Sequence, residues 1–298
     1  MSQAIAATAV APAPDWELDY YSRPILEADG KKRWELLICS TPQPGADQPA
    51  FRWVRPCPAA SVNSIWLREA MQDALTEALS LGLQPPRRLR CWRISMRAMV
   101  QRAAEGLGME LVSSRRCYAL VQWLQERERT VYPQEEGFMA GPLAPPPTPI
   151  RPVPVPLPET ARGQSWAWAT LSAEALAEAS DWDIDFAGLI PLPTGLDPAS
   201  QIPGIRLFGG DRSLAIAGWI AGLEPVRLEL SGRQLLLEAG LEDRWLLSDL
   251  ADDTRGAAAA SLEQARQQAG GLQFVAVQAN ERDQRFAGFW MLQDLPDA

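Results

Sequence analysis

An α+β protein of two domains is the fold this sequence predicts, and three observations predict it. Near the start, Trp16, Leu18 and Tyr20 alternate with Glu17, Asp19 and Tyr21, the two-residue period of a strand. Further on, amphipathic helical stretches and short strand-like runs follow one another, which calls for sheets with helices packed against them. Residues 141–160, GPLAPPPTPIRPVPVPLPET, hold nine prolines and split the 298-residue chain in two.

Residues 1–14 read as a disordered lead, and 15–140 as the first domain. The opening strand turns at Asp29-Gly30 into a second, with Trp34, Leu36 and Ile38 on one face. FRWVR, 51–55, is a third strand. Asn63 or Ser64 then caps a helix that runs to Gly82, with Leu67, Met71, Ala74, Leu75 and Ala78 as its apolar stripe. RLRCWRI is a strand, Ser95 caps a second helix, MELVSS is a strand, and RRCYALVQWLQERE is the last helix. The order β-β-β-α-β-α-β-α is ribonuclease-H-like, a statement about topology that leaves function open.

Proline fixes φ and lacks an amide donor, so 141–160 is excluded from helices and sheet interiors. It is expected as a semi-rigid polyproline spacer, the alternatives being an extended arm laid on one domain and a docking site for a proline-binding partner. The second domain, 161–298, opens with a strand and helix in WAWATLSAEALAEA. GIRLF, a hairpin turning at Ser231-Gly232, and RWLLSDL are strands, and SLAIAGWIAGL is a helix. A glycine-closed helix over TRGAAAASLEQARQQAGG leads to two final strands, LQFVAVQA and FAGFWMLQ.

Composition excludes whole classes of chemistry. There is no histidine, which removes Ser-His-Asp and Cys-His catalysis and His-ligated metals. The four cysteines, Cys39, Cys57, Cys91 and Cys117, are widely spaced and form no C-x-x-C pair, so neither zinc nor a disulfide framework is expected. No cofactor is implied. No apolar run is long enough for a membrane span, and the N-terminus does not read as a signal peptide, so a cytoplasmic location is expected. The net charge of −9 is unevenly shared. Residues 1–140 carry 17 basic and 16 acidic side chains, and 161–298 carry 10 and 20. Only the first half suits a polyanion.

Five blocks stand out: WELDYYSRPILEADGKKRWELLICS, IPGIRLFGG, AGWIAGLEP, LLLEAGLEDRWLLSDL and GLQFVAVQANERDQRFAGFWMLQDL. In content and order they resemble the Tab-two-like family, across nearly the whole chain outside the lead and linker. The resemblance implies binding to single-stranded messenger RNA in its 5′ untranslated region. It also implies a cytoplasmic or stromal location, promotion of translation of photosystem subunit messages, and photosystem biogenesis, here as a cyanobacterial-type member. Family members typically end near Trp-Leu-Leu, and Trp290, Met291 and Leu292 stand at those positions. Leu to Met nearly conserves volume.

Independently of the resemblance, Arg87, Arg88, Arg90, Arg93, Arg97, Arg102, Arg115 and Arg116 face only Glu105 and Glu110 in their stretch. On a strand Arg88, Arg90 and Trp92 share one face, a pattern that suits phosphates with an interleaved stacking ring. The alternative is a solvated or ion-paired surface. Trp92 and Trp53, flanked by arginines, are expected to be exposed, while Trp34, Trp66, Trp123 and Trp219 are expected in the core. Lys31 and Lys32, the only lysines, form a lesser basic patch beside Arg33.

A competing reading places Glu17, Asp19 and Glu35 as a Mg²⁺-holding set in a metal-dependent nuclease. The structural reading of the same carboxylates is a cross-strand set answered by Arg23 or Arg33. DWDIDF, 181–186, lacks the glycine and glutamate of a calcium loop and reads as an edge guarded by charge. The function expected is RNA binding by the first half, with protein contacts by the acidic second half. The nuclease and a pure assembly scaffold are the alternatives.

Overall fold

The computed structural model describes residues 14–44, 50–140, 152–250 and 253–294. Residues 1–13 of the lead and 141–151 of the proline-rich stretch lie outside those residues.

The first half follows the expected order. Strands β1 (Trp16–Leu26), β2 (Lys32–Ser40) and β3 (Arg52–Cys57) form an antiparallel meander. Helix α1 (Ser64–Ser80) leads to β4 (Arg88–Cys91), α2 (Arg97–Glu105), β5 (Glu110–Ser113) and α3 (Tyr118–Thr130). β4 lies parallel to β1 and to β5, so the first sheet has the order β3-β2-β1-β4-β5, the ribonuclease-H-like arrangement. Asn63 caps α1 by accepting from the Ile65 and Trp66 amides, each at 2.9 Å. Ser95 does not cap α2. It sits inside a 3-10 turn over Ile94–Met96, and no side chain caps the helix that follows.

The second half begins on the linker. Val155–Pro156 forms a two-residue strand, β6, at the edge of a sheet, and the Leu157 side chain is buried. From here the proline-rich stretch is an arm laid on the second half rather than a spacer. Proline tolerates this because an edge strand leaves its missing donor unneeded. Then come β7 (Ser165–Ser172), α4 (Ala173–Ala177), β8 (Ile184–Gly188), β9 (Gln201–Phe208) and α5 (Ser213–Leu223). After these follow β10 (Pro225–Ser231), β11 (Gln234–Ala239), β12 (Asp243–Asp249), α6 (Asp253–Gln268), β13 (Leu272–Gln278) and β14 (Phe286–Gln293). They make a second sheet, β7-β9-β13-β14-β8, and a third, β10-β11-β12-β6.

Alternation explains the layers. Trp16, Leu18 and Tyr20 of β1 pack with Leu67, Met71 and Ala74 of α1, and with Val100 and Ala103 of α2. The opposite face, with Leu37 and Cys39, packs on Leu120, Val121 and Leu124 of α3. The same cluster continues into Phe274, Phe289 and Met291 of the second sheet. α3 therefore fills the space between two sheets, and the two halves share one core. On the far face of the second sheet, Val275, Trp290 and Leu292 pack on Ile216 and Ile220 of α5 and on Leu228, Leu235 and Leu237 of the third sheet.

Candidate nucleic-acid interface

Arg88 and Arg90 do share a face of β4, because Leu89 and Cys91 take the side toward α1 and α2. That face is roofed by the second half of the chain rather than presented to solvent. Arg90 is buried and forks onto Glu224 at 2.6 and 3.1 Å, with Asp15 at 2.9 Å. Arg88 binds Asp15 at 2.7 and 3.2 Å and approaches Glu224 at 3.3 Å. Arg87 stays outside, 61% exposed, with its nearest carboxylate, Asp15, at 3.5 Å.

Trp92 is not an exposed stacking ring. It is 6% exposed, lies in the shared core, and donates to Asp19 at 2.9 Å. Arg93 also donates to Asp19 and lies 4.2 Å over the Tyr21 ring. Arg97 is exposed at the first residue of α2, and Trp53 is half-buried, its indole N–H donating to Glu77. Just before α3, Arg115 pairs with Glu238 at 3.0 Å. Arg116 is buried and donates to the carbonyls of Pro225, Gly188 and Met291. Arg88, Arg90, Arg115 and Arg116 of the first half thus meet acids and carbonyls of the second.

A cleft of about 690 Å³ remains along this seam. Arg87, Arg88, Arg90 and Arg116 line it, with Tyr118, Gln122 and Gln293, against Asp15 and Glu17. Burial raises the Glu17 carboxyl above its usual range, against hydrogen bonds from the Leu120 amide and the Thr41 hydroxyl that favour the charged form. Its negative charge is disfavoured there. At Asp15 burial acts the same way, but the Arg88 hydrogen bond and the charges of Arg90, Arg88 and Arg87 outweigh it and hold the carboxyl low. Glu224 is likewise held low: burial is overcome by Arg90 first and then by Arg116 and Arg88. Four guanidinium groups, Arg87, Arg88, Arg90 and Arg116, stand here against three carboxylates, Asp15, Glu17 and Glu224, so the seam keeps an excess of guanidinium.

Lys31 and Lys32 are exposed but do not join this cleft. The β1–β2 register puts Trp16 beside Ser40 at the cleft end and Leu26 beside Lys32 at the other. Eleven strand residues separate the two basic patches by about 30 Å. Of the closing motif, Trp290 and Leu292 face α5 and the third sheet, and Met291 faces the shared core. The Trp290 ring lies over two glycines, since a Cβ at Gly188 or Gly288 would fall 2.3 or 2.2 Å from it.

The carboxylates proposed for metal are each already held. Arg23 donates to Asp19 at 2.8 Å and to Glu35 at 3.3 Å. Tyr132 donates to Glu35 at 2.8 Å, and Arg127 joins at 3.3 Å. Arg33 does not take part and binds Glu27 and Glu135 instead. Among the described residues no group of three or more acidic or thiol side chains is placed to hold a metal. At the edge of the second sheet, Arg285 binds Asp183 and Asp185.

Sequence reasoning missed Asp15, Glu224 and Glu238, which face the arginines. Glu238, a lone charge inside LLLEA, carried a signal, because a charge in an apolar strand implies a buried partner. Glu224, between a helix and a proline, carried none.

Comparison with known proteins decides the family. The family models described as RNA-binding protein Tab2/Atab2 match twice, the N-terminal part over residues 15–127 and the C-terminal domain over 145–293. This chain belongs to the Tab2/Atab2 family of RNA-binding proteins. A relative from Zea mays, named Protein TAB2 homolog, chloroplastic, is 35% identical over 295 residues, which cover 95% of this chain and 72% of the relative. One of the same name from Arabidopsis thaliana is 33% identical over 292 residues, covering 95% and 75%. No solved structure matches the chain. The Tab2/Atab2 membership spans both sides of the seam, so both halves of the cleft belong to the family's own domains. No helix among the described residues is long and apolar enough to cross a membrane.

Proposed function

We propose that this chain binds single-stranded messenger RNA, in the 5′ untranslated region, and promotes translation of photosystem subunit messages. The observation that carries the reading is the convergence of Arg87, Arg88, Arg90 and Arg116 on one cleft of an RNA-binding family member. Arg87 and the outer part of Arg88 take phosphates, because they reach solvent, while Arg90 and Arg116 hold the walls together and supply field. Gln122 and Gln293 are the neighbouring groups for base contact. Arg97, Lys31 and Lys32 are secondary contacts for flanking RNA. The acidic second half contacts a protein partner. A cytoplasmic or stromal location fits four buried free thiols. The nuclease reading has less support, because arginines already satisfy Asp19 and Glu35, and Thr41 and the Leu120 amide hold Glu17.

The experiment is crosslinking of the full chain to RNA in cells, followed by sequencing of what is bound. Enrichment of photosystem subunit leaders is the expected result. A spread over unrelated transcripts would count against the messenger-specific reading while leaving RNA binding in place.

A further inference from the structure

We propose that RNA binding at the seam is coupled to protonation of Glu17, so that the protein holds RNA more tightly in mild acid than at neutral pH. This gives the cleft proposed above a control, and it rests on that reading.

Glu17 is placed to sense a phosphate without touching one. It is 1% exposed, yet it lines the seam cleft with Arg88, Arg90 and Arg116. The parallel register sets it directly beside Arg90 on the neighbouring strand. Its two oxygens accept from the Leu120 amide at 2.8 Å and from the Thr41 hydroxyl at 2.9 Å. Neither of these partners is a cation, so the contacts that fix the side chain do not depend on its charge. Buried charges are screened much less than exposed ones, so the field of a phosphate in the cleft reaches it.

Protonation keeps both contacts. One carboxyl oxygen still accepts from Leu120, and the acid O–H donates to Thr41, whose hydroxyl can accept as well as donate. The cleft therefore has two charge states with one geometry. With Glu17 charged, the four guanidinium groups face three carboxylates. With Glu17 protonated they face two, Asp15 and Glu224. A polyanion favours the second state, and by reciprocity its phosphates draw the proton on.

The groups around Glu17 do not titrate with it. On β1, burial at Asp15 and Asp19 is outweighed by their arginines, which hold both carboxyls low. Glu224, from the second half, is held low in the same way. Cys39 stands opposite Glu17 on β2, and burial pushes its thiol up. Burial does the same to Cys117 and Tyr118 at the start of α3. Arg90 and Arg116 keep their charge throughout. The chain has no histidine, so no side chain with an ordinary pKa changes charge between pH 5 and 7. Burial raises Glu17 toward that range. It also raises Asp294, against Arg266 and Arg227, but Asp294 does not line the cleft and serves as the control.

The test is binding of single-stranded oligouridine to the full chain between pH 5 and 7 at fixed salt. Uracil does not titrate in this range, and an oligomer without terminal phosphates has no second phosphate ionisation there. The parent should bind about fivefold more tightly at pH 5 than at pH 7, the lower end of ordinary coupling between two sites. Glu17→Gln should bind at pH 7 as tightly as the parent does at pH 5, with no pH dependence. Thr41→Val removes a hydrogen bond that favours the charged form, and should move the midpoint of the dependence to higher pH. Asp294→Asn should keep the parent's dependence. Thermal unfolding shows that each variant is folded, and if Glu17→Gln is not, the midpoint of Thr41→Val decides. An affinity independent of pH in the parent overturns the proposal. So does a dependence that survives in Glu17→Gln, that disappears in Asp294→Asn, or whose midpoint Thr41→Val leaves unmoved. Binding that weakens with salt but is flat with pH removes this proposal and leaves the RNA reading standing, whereas no binding at any pH removes both.

Discussion

Arg90 and Glu224, 134 residues apart, share two hydrogen bonds across the seam between the halves, and Glu224 holds its end from a left-handed backbone at φ 58°. It is the only non-glycine residue with positive φ among the described residues. Such a position at the end of α5 ordinarily takes glycine. Glutamate is there for its carboxylate, and the backbone strain is offset by the ion pair.

That arrangement separates two substitutions. Glu224→Ala and Glu224→Gly both leave Arg90 with only Asp15, and loss of a buried partner costs on the order of 3–5 kcal/mol, here toward the lower end. Glycine also relieves the left-handed backbone. Glu224→Gly should therefore be more stable than Glu224→Ala by about 1 kcal/mol, read by denaturant unfolding. Equal stabilities would mean that the backbone at 224 carries no strain.

RNA affinity should fall as salt rises, because phosphate contacts release counterions. Reversing Arg88 and Arg90 to Glu breaks the seam as well as any phosphate contact, so lost binding there cannot be read alone. Arg87→Glu is the clean variant, because Arg87 is exposed and its only acidic contact among the described residues is a 3.5 Å approach to Asp15. It should weaken RNA binding with unchanged unfolding and reduce the slope of log affinity against log salt by about 0.7. An unchanged slope would move the RNA surface elsewhere.

Stability should depend on pH in two opposite ways. Folding lowers the Glu224 carboxyl from its ordinary 4.5, so its contribution is present above that value and is lost as acid takes the pH through the lower folded value. Folding raises Glu17 from the same ordinary value, so its contribution is present below 4.5 and is lost as pH rises through the raised one. Glu17→Gln should remove the second loss, because its amide oxygen accepts from Leu120 and its NH₂ donates to Thr41. The expected result is a flatter stability profile above pH 4.5, by thermal unfolding across pH. A profile identical to the parent's would show that Glu17 does not carry the effect.

With Mg²⁺ or Mn²⁺ the purified protein should leave RNA and DNA intact, because Arg23 already occupies the space between Asp19 and Glu35. Metal-dependent cleavage that disappears in Asp19→Asn would restore the nuclease reading.

Trp290→Ala should cost about 3–5 kcal/mol, the range for a buried large aromatic. Its ring fills the space over Gly188 and Gly288, and Arg116 binds the Gly188 and Met291 carbonyls on either side. The loss is therefore expected to reach the seam and the first half as well, through Arg116. Isolated residues 1–140 would expose α3 and Trp92, which belong to the shared core. Thermal unfolding and RNA binding of Trp290→Ala measured together check this. A fully folded variant that no longer binds RNA would make the closing motif a recognition element.

The local elements were legible in the sequence because they are set by neighbours a few residues apart. The alternation through Trp16, Leu18 and Tyr20, the Asn63 cap and the α1 stripe all appear in the structure as read. That residues 87–116 are rich in arginine was legible too, as a matter of composition. What those arginines face was decided only by tertiary structure. Arg90 and Glu224, or Arg116 and the Met291 carbonyl, are more than a hundred residues apart, and no local period brings them together. A strand face bearing Arg88, Arg90 and Trp92 reads the same whether water, RNA or another half of the chain lies over it. The shared core on α3 put the second half there, and turned Arg88, Arg90, Arg115 and Arg116 of the expected RNA surface toward a seam.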